Sequence, residues 1–172
     1  MQLTDGREIR AERETVWTAL LDPEVLKACI PGCTEMTGSP EEGFNAVVTQ
    51  KVGPVKATFN GRVTITDMVP RQACTISGEG KGGPAGFAKG GAKIRLSDVP
   101  GGTRLDYEVD AKVGGKLAQL GSRIIDGFAK KMADDFFSRF SKVVEGPEAT
   151  ETLATAEPEA KRGWLSKLGM GA

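Results

Sequence analysis

Two hydrophobic periods divide the chain. Residues 13–21 carry apolar side chains at helical spacing and predict a short amphipathic helix after a strand at 6–11. A second short helix is predicted over 23–30, because Pro23 suits the first helical turn and Pro31-Gly32 ends it. The apolar residues of the first helix are Val16, Trp17, Leu20 and Leu21.

After these helices the period changes to two. Apolar or small residues alternate with polar ones over 55–66, 88–97 and 103–113. Turn-forming residues, such as those at 41–43 and 100–102, separate the runs. The pattern predicts an antiparallel sheet of about seven strands with one buried and one solvated face.

The chain then returns to the helical period. Residues 116–144 predict one helix of about 29 residues, which at about 1.5 Å per residue is about 43 Å long. Such a helix needs an extended partner, and the one-sided sheet provides it. Small inward-facing residues cannot fill the space between sheet and helix, so we infer a cavity bounded by Ala57, Gly61, Gly90, Ala92 and Ala111.

Composition narrows the functional classes. The chain has 172 residues, 23 glycines, three cysteines, no histidine and a net charge of zero. Without histidine, catalytic triads and the commonest metal ligand are excluded, and three cysteines with no histidine do not make a structural zinc site. Cys29, Cys33 and Cys74 are interpreted as small buried hydrophobes. Residues 1–144 carry only about +2, which argues against nucleic-acid binding.

The C-terminal residues differ from the rest. Residues 145–160 contain five acids and no base, and are predicted to be a disordered linker after the domain of residues 1–144. Residues 161–172 combine bases with apolar side chains and predict a weak, surface-lying membrane segment, although a frayed tail or a protein-docking peptide is the alternative. The membrane contacts are assigned to Lys161, Arg162, Trp164, Leu165, Lys167 and Leu168.

Neither a signal peptide nor an apolar run of membrane-spanning length is visible. We therefore expect a cytoplasmic protein that touches the inner face of the cytoplasmic membrane. The glycine-rich segment 78–87 lacks the ending of a phosphate-binding loop and is interpreted as a mobile strand–turn–strand segment near the cavity mouth.

Five motifs resemble a known family. The residues Ala11-Glu12-Arg13-Glu14-Thr15-Val16-Trp17, followed by Leu20 and Asp22-Pro23, resemble the first-helix signature of the START-like (SRPBCC) superfamily. Four further motifs resemble the carbon monoxide dehydrogenase CoxG family over residues 1–144: Ile30-Pro31-Gly32-Cys33, Lys51-Val52-Gly53-Pro54-Val55, Gly102-Thr103 with Leu105 and Tyr107, and Gly115-Lys116-Leu117-Ala118 with Leu120-Gly121.

The resemblance implies an α+β helix-grip fold, in which a curved sheet surrounds a long C-terminal helix. It also implies an accessory protein, not an enzyme, that attaches a molybdenum-containing carbon monoxide dehydrogenase or a related hydroxylase to the cytoplasmic membrane. The expected ligand is a respiratory quinone, menaquinone or ubiquinone, with no covalent cofactor and no metal.

The predicted ligand contacts face the space between sheet and helix. They are Trp17, Phe59, Ile94, Tyr107, Leu117, Leu120, Ile124 and Phe128. Tyr107 has the only phenol, whose hydroxyl needs a partner when buried. Two alternatives stay open: an aromatase- or cyclase-type enzyme on the same fold, and an assembly factor for the hydroxylase that holds no ligand.

Overall fold

The computed structural model describes the backbone of residues 1–156 and the side chains of residues 1–146. Its elements follow the predicted order: β1 (Gln2–Ile9), α1 (Arg13–Leu20), α2 (Pro23–Cys29), β2 (Cys33–Ser39), β3 (Gly43–Val52), β4 (Val55–Val69), β5 (Ala73–Lys81), β6 (Phe87–Val99), β7 (Gly102–Gly114), α3 (Lys116–Gln119) and α4 (Ser122–Ala156). A single 3-10 turn, Gly83–Ala85, connects β5 to β6.

The seven strands form one antiparallel sheet in the order β1-β7-β6-β5-β4-β3-β2. Strands β2 to β7 follow one another as hairpins, and β1 closes the order by pairing with β7. The predicted fold class, a helix-grip architecture of about seven strands, is confirmed. The predicted alternation is also present, since β4 alternates half-buried and exposed residues over most of its length.

The two short helices between β1 and β2 begin where the sequence indicates. At the start of α2, the Asp22 carboxylate accepts a hydrogen bond of 2.9 Å from the Glu24 backbone N–H, and Pro23 occupies the first turn. This is a favourable N-terminal cap, because the first helical N–H groups have no partner within the helix. Strand β1 is longer than expected and begins at Gln2.

The long helix differs from the prediction at its start. The expectation of one helix from residue 116 is wrong, because Gly115 and Gly121 adopt positive φ angles of 71° and 90° and isolate α3 as a single turn. The main helix α4 therefore begins at Ser122 and contains a non-helical residue at Gly146. Its assignment continues to Ala156, across part of the predicted linker. The predicted tail, 161–172, lies outside the described residues, and the division into domain, linker and tail stays a prediction.

The largest hydrophobic cluster lies where α1 and α4 cover β1, β6 and β7. The rings of Phe136, Phe137 and Phe140 on α4 pack against each other with centroids 5.0–6.4 Å apart. The helix is thereby held firmly at this end of the sheet. A smaller cluster built on Val52, Leu117 and Ile125 lies at the other end.

Candidate functional site

An apolar cavity of about 370 Å³ lies between the inward face of the sheet and α4. Its volume is at the lower end of the range of small-molecule sites. The helix contributes Ile125, Phe128, Ala129, Met132 and Ala133, which recur at the spacing of one helical face. The sheet and α3 contribute Met1, Leu3, Val48, Gln50, Val52, Phe59, Gly80, Ala88, Val109, Ala111, Val113 and Leu117.

Small side chains keep this space open. Gly80 and Ala88 are direct cross-strand partners in β5 and β6, and both line the cavity. A Cβ placed on Gly80 would have only the Phe59 Cβ, 3.8 Å away, within contact distance. The inferred cavity is therefore present, but of the five small residues named from the sequence only Ala111 lines it. Gly90, for example, is small because the β7 backbone at Asp110 and Ala111 lies against it.

Three of the eight predicted ligand contacts line the cavity. They are Phe59, Leu117 and Phe128. Leu120 packs against the same cluster as Leu117 without contributing to the lining. Ligand contact by these residues stays a prediction.

The other four predicted contacts lie elsewhere. Trp17, Ile94 and Tyr107 belong to the large core cluster beside α1, outside the cavity lining. Ile124 is 40% exposed, whereas the next residue, Ile125, is 8% exposed and lines the cavity. The reason for this last difference is the helix start: because α4 begins at Ser122, its phase turns Ile125 inward.

Gln50 is a residue that the sequence analysis missed. Among the described residues that line the cavity, it alone has a polar side chain. Its amide nitrogen donates a hydrogen bond to the Pro31 carbonyl, which fixes the amide orientation and leaves a second N–H and the side-chain oxygen. The signal was available, since Gln50 interrupts the inward apolar series Phe44, Ala46, Val48 and Val52 of β3.

Tyr107 takes part in a polar network at the edge of the core. Its hydroxyl accepts a 3.3 Å hydrogen bond from Arg7, whose guanidinium also forms a 2.6 Å ion pair with Asp134 on α4. Burial opposes the charge on Arg7, but the hydrogen bonds to Tyr107 and Asp134 outweigh it and raise the pKa of Arg7. Hydrogen bonds from Arg7 and Lys130 lower the pKa of Asp134. Tyr107 also stacks on Phe137 at 5.1 Å. This network ties β1 and β7 to α4.

The three thiols are poor nucleophiles. Burial raises the pKa of Cys74 to about 11 and also raises the pKa values of Cys29 and Cys33. Each side chain is therefore a neutral thiol near neutral pH. No group of three or more histidine, cysteine, aspartate or glutamate side chains in the described part of the chain could hold a metal ion.

A second, more polar depression of about 530 Å³ lies on the outward face of the sheet. Its cations lie beside anions: Arg104 pairs with Asp106 at 3.0 Å, and Lys93 is the cross-strand partner of Glu108. Since the charges are matched within the protein, this depression offers no strong electrostatic attraction to a ligand. The apolar cavity is the better candidate.

Comparisons with known proteins agree with this architecture. A model of the carbon monoxide dehydrogenase CoxG family matches residues 6–145. A search of curated proteins finds no match. Within residues 1–156, no helix has the length and apolarity needed to cross a membrane.

Several solved structures share the fold. A conserved protein from Geobacillus kaustophilus is 31% identical, with a TM-score of 0.78 over 84% of this chain and 95% of that protein. A protein from Thermus thermophilus has a TM-score of 0.65 at 13% identity, covering 84% of this chain and 97% of its own. An uncharacterised Rhizobium leguminosarum protein has a TM-score of 0.64 at 16% identity, over 84% and 94% of the two chains. The last two likenesses concern the fold alone.

Proposed function

Because this chain belongs to the carbon monoxide dehydrogenase CoxG family, we propose that it carries a respiratory quinone and recruits its enzyme to the membrane. The enzyme is a molybdenum-containing carbon monoxide dehydrogenase or a related molybdenum hydroxylase. In this proposal the protein performs no chemistry itself; it brings the electron acceptor to the enzyme.

The apolar cavity is the observation that carries the proposal. Seventeen residues line it and sixteen of them are apolar or glycine, so a ligand there exchanges water for hydrocarbon contact. Each buried CH₂ of such a ligand contributes about 0.8 kcal/mol. A prenylated quinone has a long apolar chain and a small polar ring, which fits a site with one polar group.

Gln50 is the expected partner of the quinone ring. One hydrogen of its amide nitrogen is used by the Pro31 carbonyl, and the second is available to a ligand carbonyl oxygen. The side-chain oxygen can in turn accept from a reduced quinol. A single amide can therefore serve both redox forms of the ligand.

A catalytic role has little chemical support in the cavity. General acid–base catalysis needs a titratable group within hydrogen-bond reach of the substrate. The lining contains no acid, lysine, arginine, tyrosine or cysteine side chain among the described residues. Asp106, Glu108 and Asp110 lie on the sheet positions that alternate with the inward residues Leu105, Tyr107 and Val109.

The first test is the ligand itself. Full-length protein is purified without detergent from cells that contain quinones, extracted with organic solvent and analysed by mass spectrometry. We expect a quinone in an amount comparable to the protein. Repeated recovery of no quinone or other prenyl lipid would contradict the carrier function.

The second test concerns the predicted tail. Bases near an anionic leaflet contribute roughly 1 kcal/mol each, and Trp164, Leu165 and Leu168 provide the apolar contacts. Deleting residues 161–172 should lower sedimentation with vesicles that contain anionic lipid. If the shortened chain sediments like the full one, the tail has another role and the carrier function is unaffected.

A further inference from the structure

The cavity approaches one end of the sheet, where three connections meet. The turn between β3 and β4 contacts the start of α4, since a Cβ on Gly53 would lie 3.6 Å from Ile124 Cγ2 and 3.9 Å from Leu120 Cδ1. The β5–β6 loop contacts the β7–α3 junction in the same way, through Gly86 and Gly115. We call residues 51–56, 79–89 and 110–126 together the cavity-end surface.

This surface is basic. It carries seven basic side chains and three acidic ones, a net charge of +4. The other residues of 1–144 carry thirteen basic and fifteen acidic side chains, a net charge of −2. None of the seven cations forms an ion pair with a side chain that the structure describes, whereas Arg7, Arg13 and Arg104 elsewhere are paired. The cation excess at this end is thus not neutralised by the protein.

Two pairs of lysines stand directly opposite each other. Lys51 is the cross-strand partner of Lys56 in β3 and β4, and Lys89 is the partner of Lys112 in β6 and β7. Like charges directly opposite each other in a sheet are destabilising. Folding gains nothing from these arrangements, and an external anion would relieve both.

The cations also follow the outline of the cavity. Lys51, Lys89 and Lys112 each stand next in sequence to a residue of the lining, as do Lys81 and Lys116. Neighbouring residues of a strand point to opposite faces. The strand lysines therefore surround the same end of the sheet whose inner side encloses the cavity.

Exposed apolar side chains lie within this basic surface. Phe87 at the end of the β5–β6 loop is 42% exposed, and Ile124 at the start of α4 is 40% exposed. Pro54 and Pro84 on the adjoining turns are exposed as well. Apolar side chains inside a ring of lysines are typical of protein surfaces that enter the headgroup region of an anionic bilayer.

We propose that the cavity-end surface docks on an anionic membrane, so that the cavity opens toward the lipid. This inference rests on the proposed function, because it gives the quinone a route between bilayer and cavity that avoids water. A lipid surface fits better than an acidic protein, since lysine is depleted in protein–protein interfaces. It also separates the body of the protein, as a membrane-binding element, from the predicted tail.

The test uses the full chain in two backgrounds, native and with the tail weakened by Trp164→Glu and Leu168→Glu. In each, Lys51→Gln with Lys56→Gln and Lys89→Gln with Lys112→Gln are compared with the matched control Lys27→Gln with Lys142→Gln. The control residues are exposed lysines away from this surface. Sedimentation is measured with quinone-free vesicles of phosphatidylcholine, with and without phosphatidylglycerol.

Each test pair should lower the partition onto anionic vesicles by about 30-fold, roughly fivefold for each lysine. Ile124→Asn should lower it by about tenfold. The control pair should change it less than either test pair. All variants should keep the native melting temperature or exceed it.

If both test pairs match the control pair in both backgrounds, the proposal is wrong. An effect of these lysines on binding to the hydroxylase, with none on vesicles, would also overturn it and identify a protein interface. Because the vesicles contain no quinone, neither result depends on whether the cavity holds one.

Discussion

Filling the cavity from the sheet is the sharpest perturbation that the structure offers. Gly80 has an ordinary strand conformation, and its missing side chain would point into the cavity with only Phe59 within 4 Å. Gly80→Leu adds four carbon atoms there. At about 0.8 kcal/mol per buried carbon group, the substitution stabilises the fold by up to about 3 kcal/mol, offset by about 1–3 kcal/mol if neighbouring side chains must shift.

The same atoms occupy space that the ligand needs. Loss of about 3 kcal/mol of apolar contact corresponds to a decrease in quinone affinity of about 100-fold. Affinity is measured by calorimetric titration with a short-chain quinone, and stability by thermal unfolding. Ser77→Leu is the matched control, because it adds a leucine to the exposed face of the same strand. We expect the control to bind quinone like the native protein.

The combination of the two measurements makes the test decisive. If Gly80→Leu is at least as stable as the native protein and still binds quinone with native affinity, the leucine occupies the cavity and the quinone does not. The ligand site would then lie elsewhere. Ala88→Leu, from the cross-strand partner of Gly80, provides an independent repeat.

Three further predictions concern single groups. Gln50→Leu should weaken quinone binding about fivefold through loss of one hydrogen bond, and unchanged affinity in the same titration would exclude Gln50 as the partner of the ring. Since the pKa of Asp134 is lowered below 3.8 by Arg7 and Lys130, its contribution to stability is present above pH 3.8 and lost as pH falls through the lower value; the urea midpoints of native protein and Asp134→Asn should therefore converge in acid, and a gap that does not depend on pH would contradict this. With its pKa raised to about 11, Cys74 should react with a thiol reagent at neutral pH only after unfolding, so prompt labelling in the native protein would show that this burial is wrong.

The fold could be predicted because its signals are local. Alternation of polar and apolar residues defines strands, Pro23 and Pro31-Gly32 delimit α2, and seven strands of one-sided character need a helix to cover them. The start of α4 could not be predicted in this way. Its apolar period continues through residues 117 and 120, and only the positive φ angles of Gly115 and Gly121 show that the chain turns there.

The sequence by itself determined the architecture, the existence of an apolar hollow and the family resemblance, since these depend on residue type and spacing along the chain. Only the tertiary structure decided which side chains enclose the hollow. Helix phase turned Ile125 inward in place of Ile124, the packing of Phe137 and Arg7 drew Tyr107 into the core, and cross-strand register brought Gly80 and Ala88 together. Register and phase are properties of elements packed together, so they become visible only when distant parts of the chain are in contact.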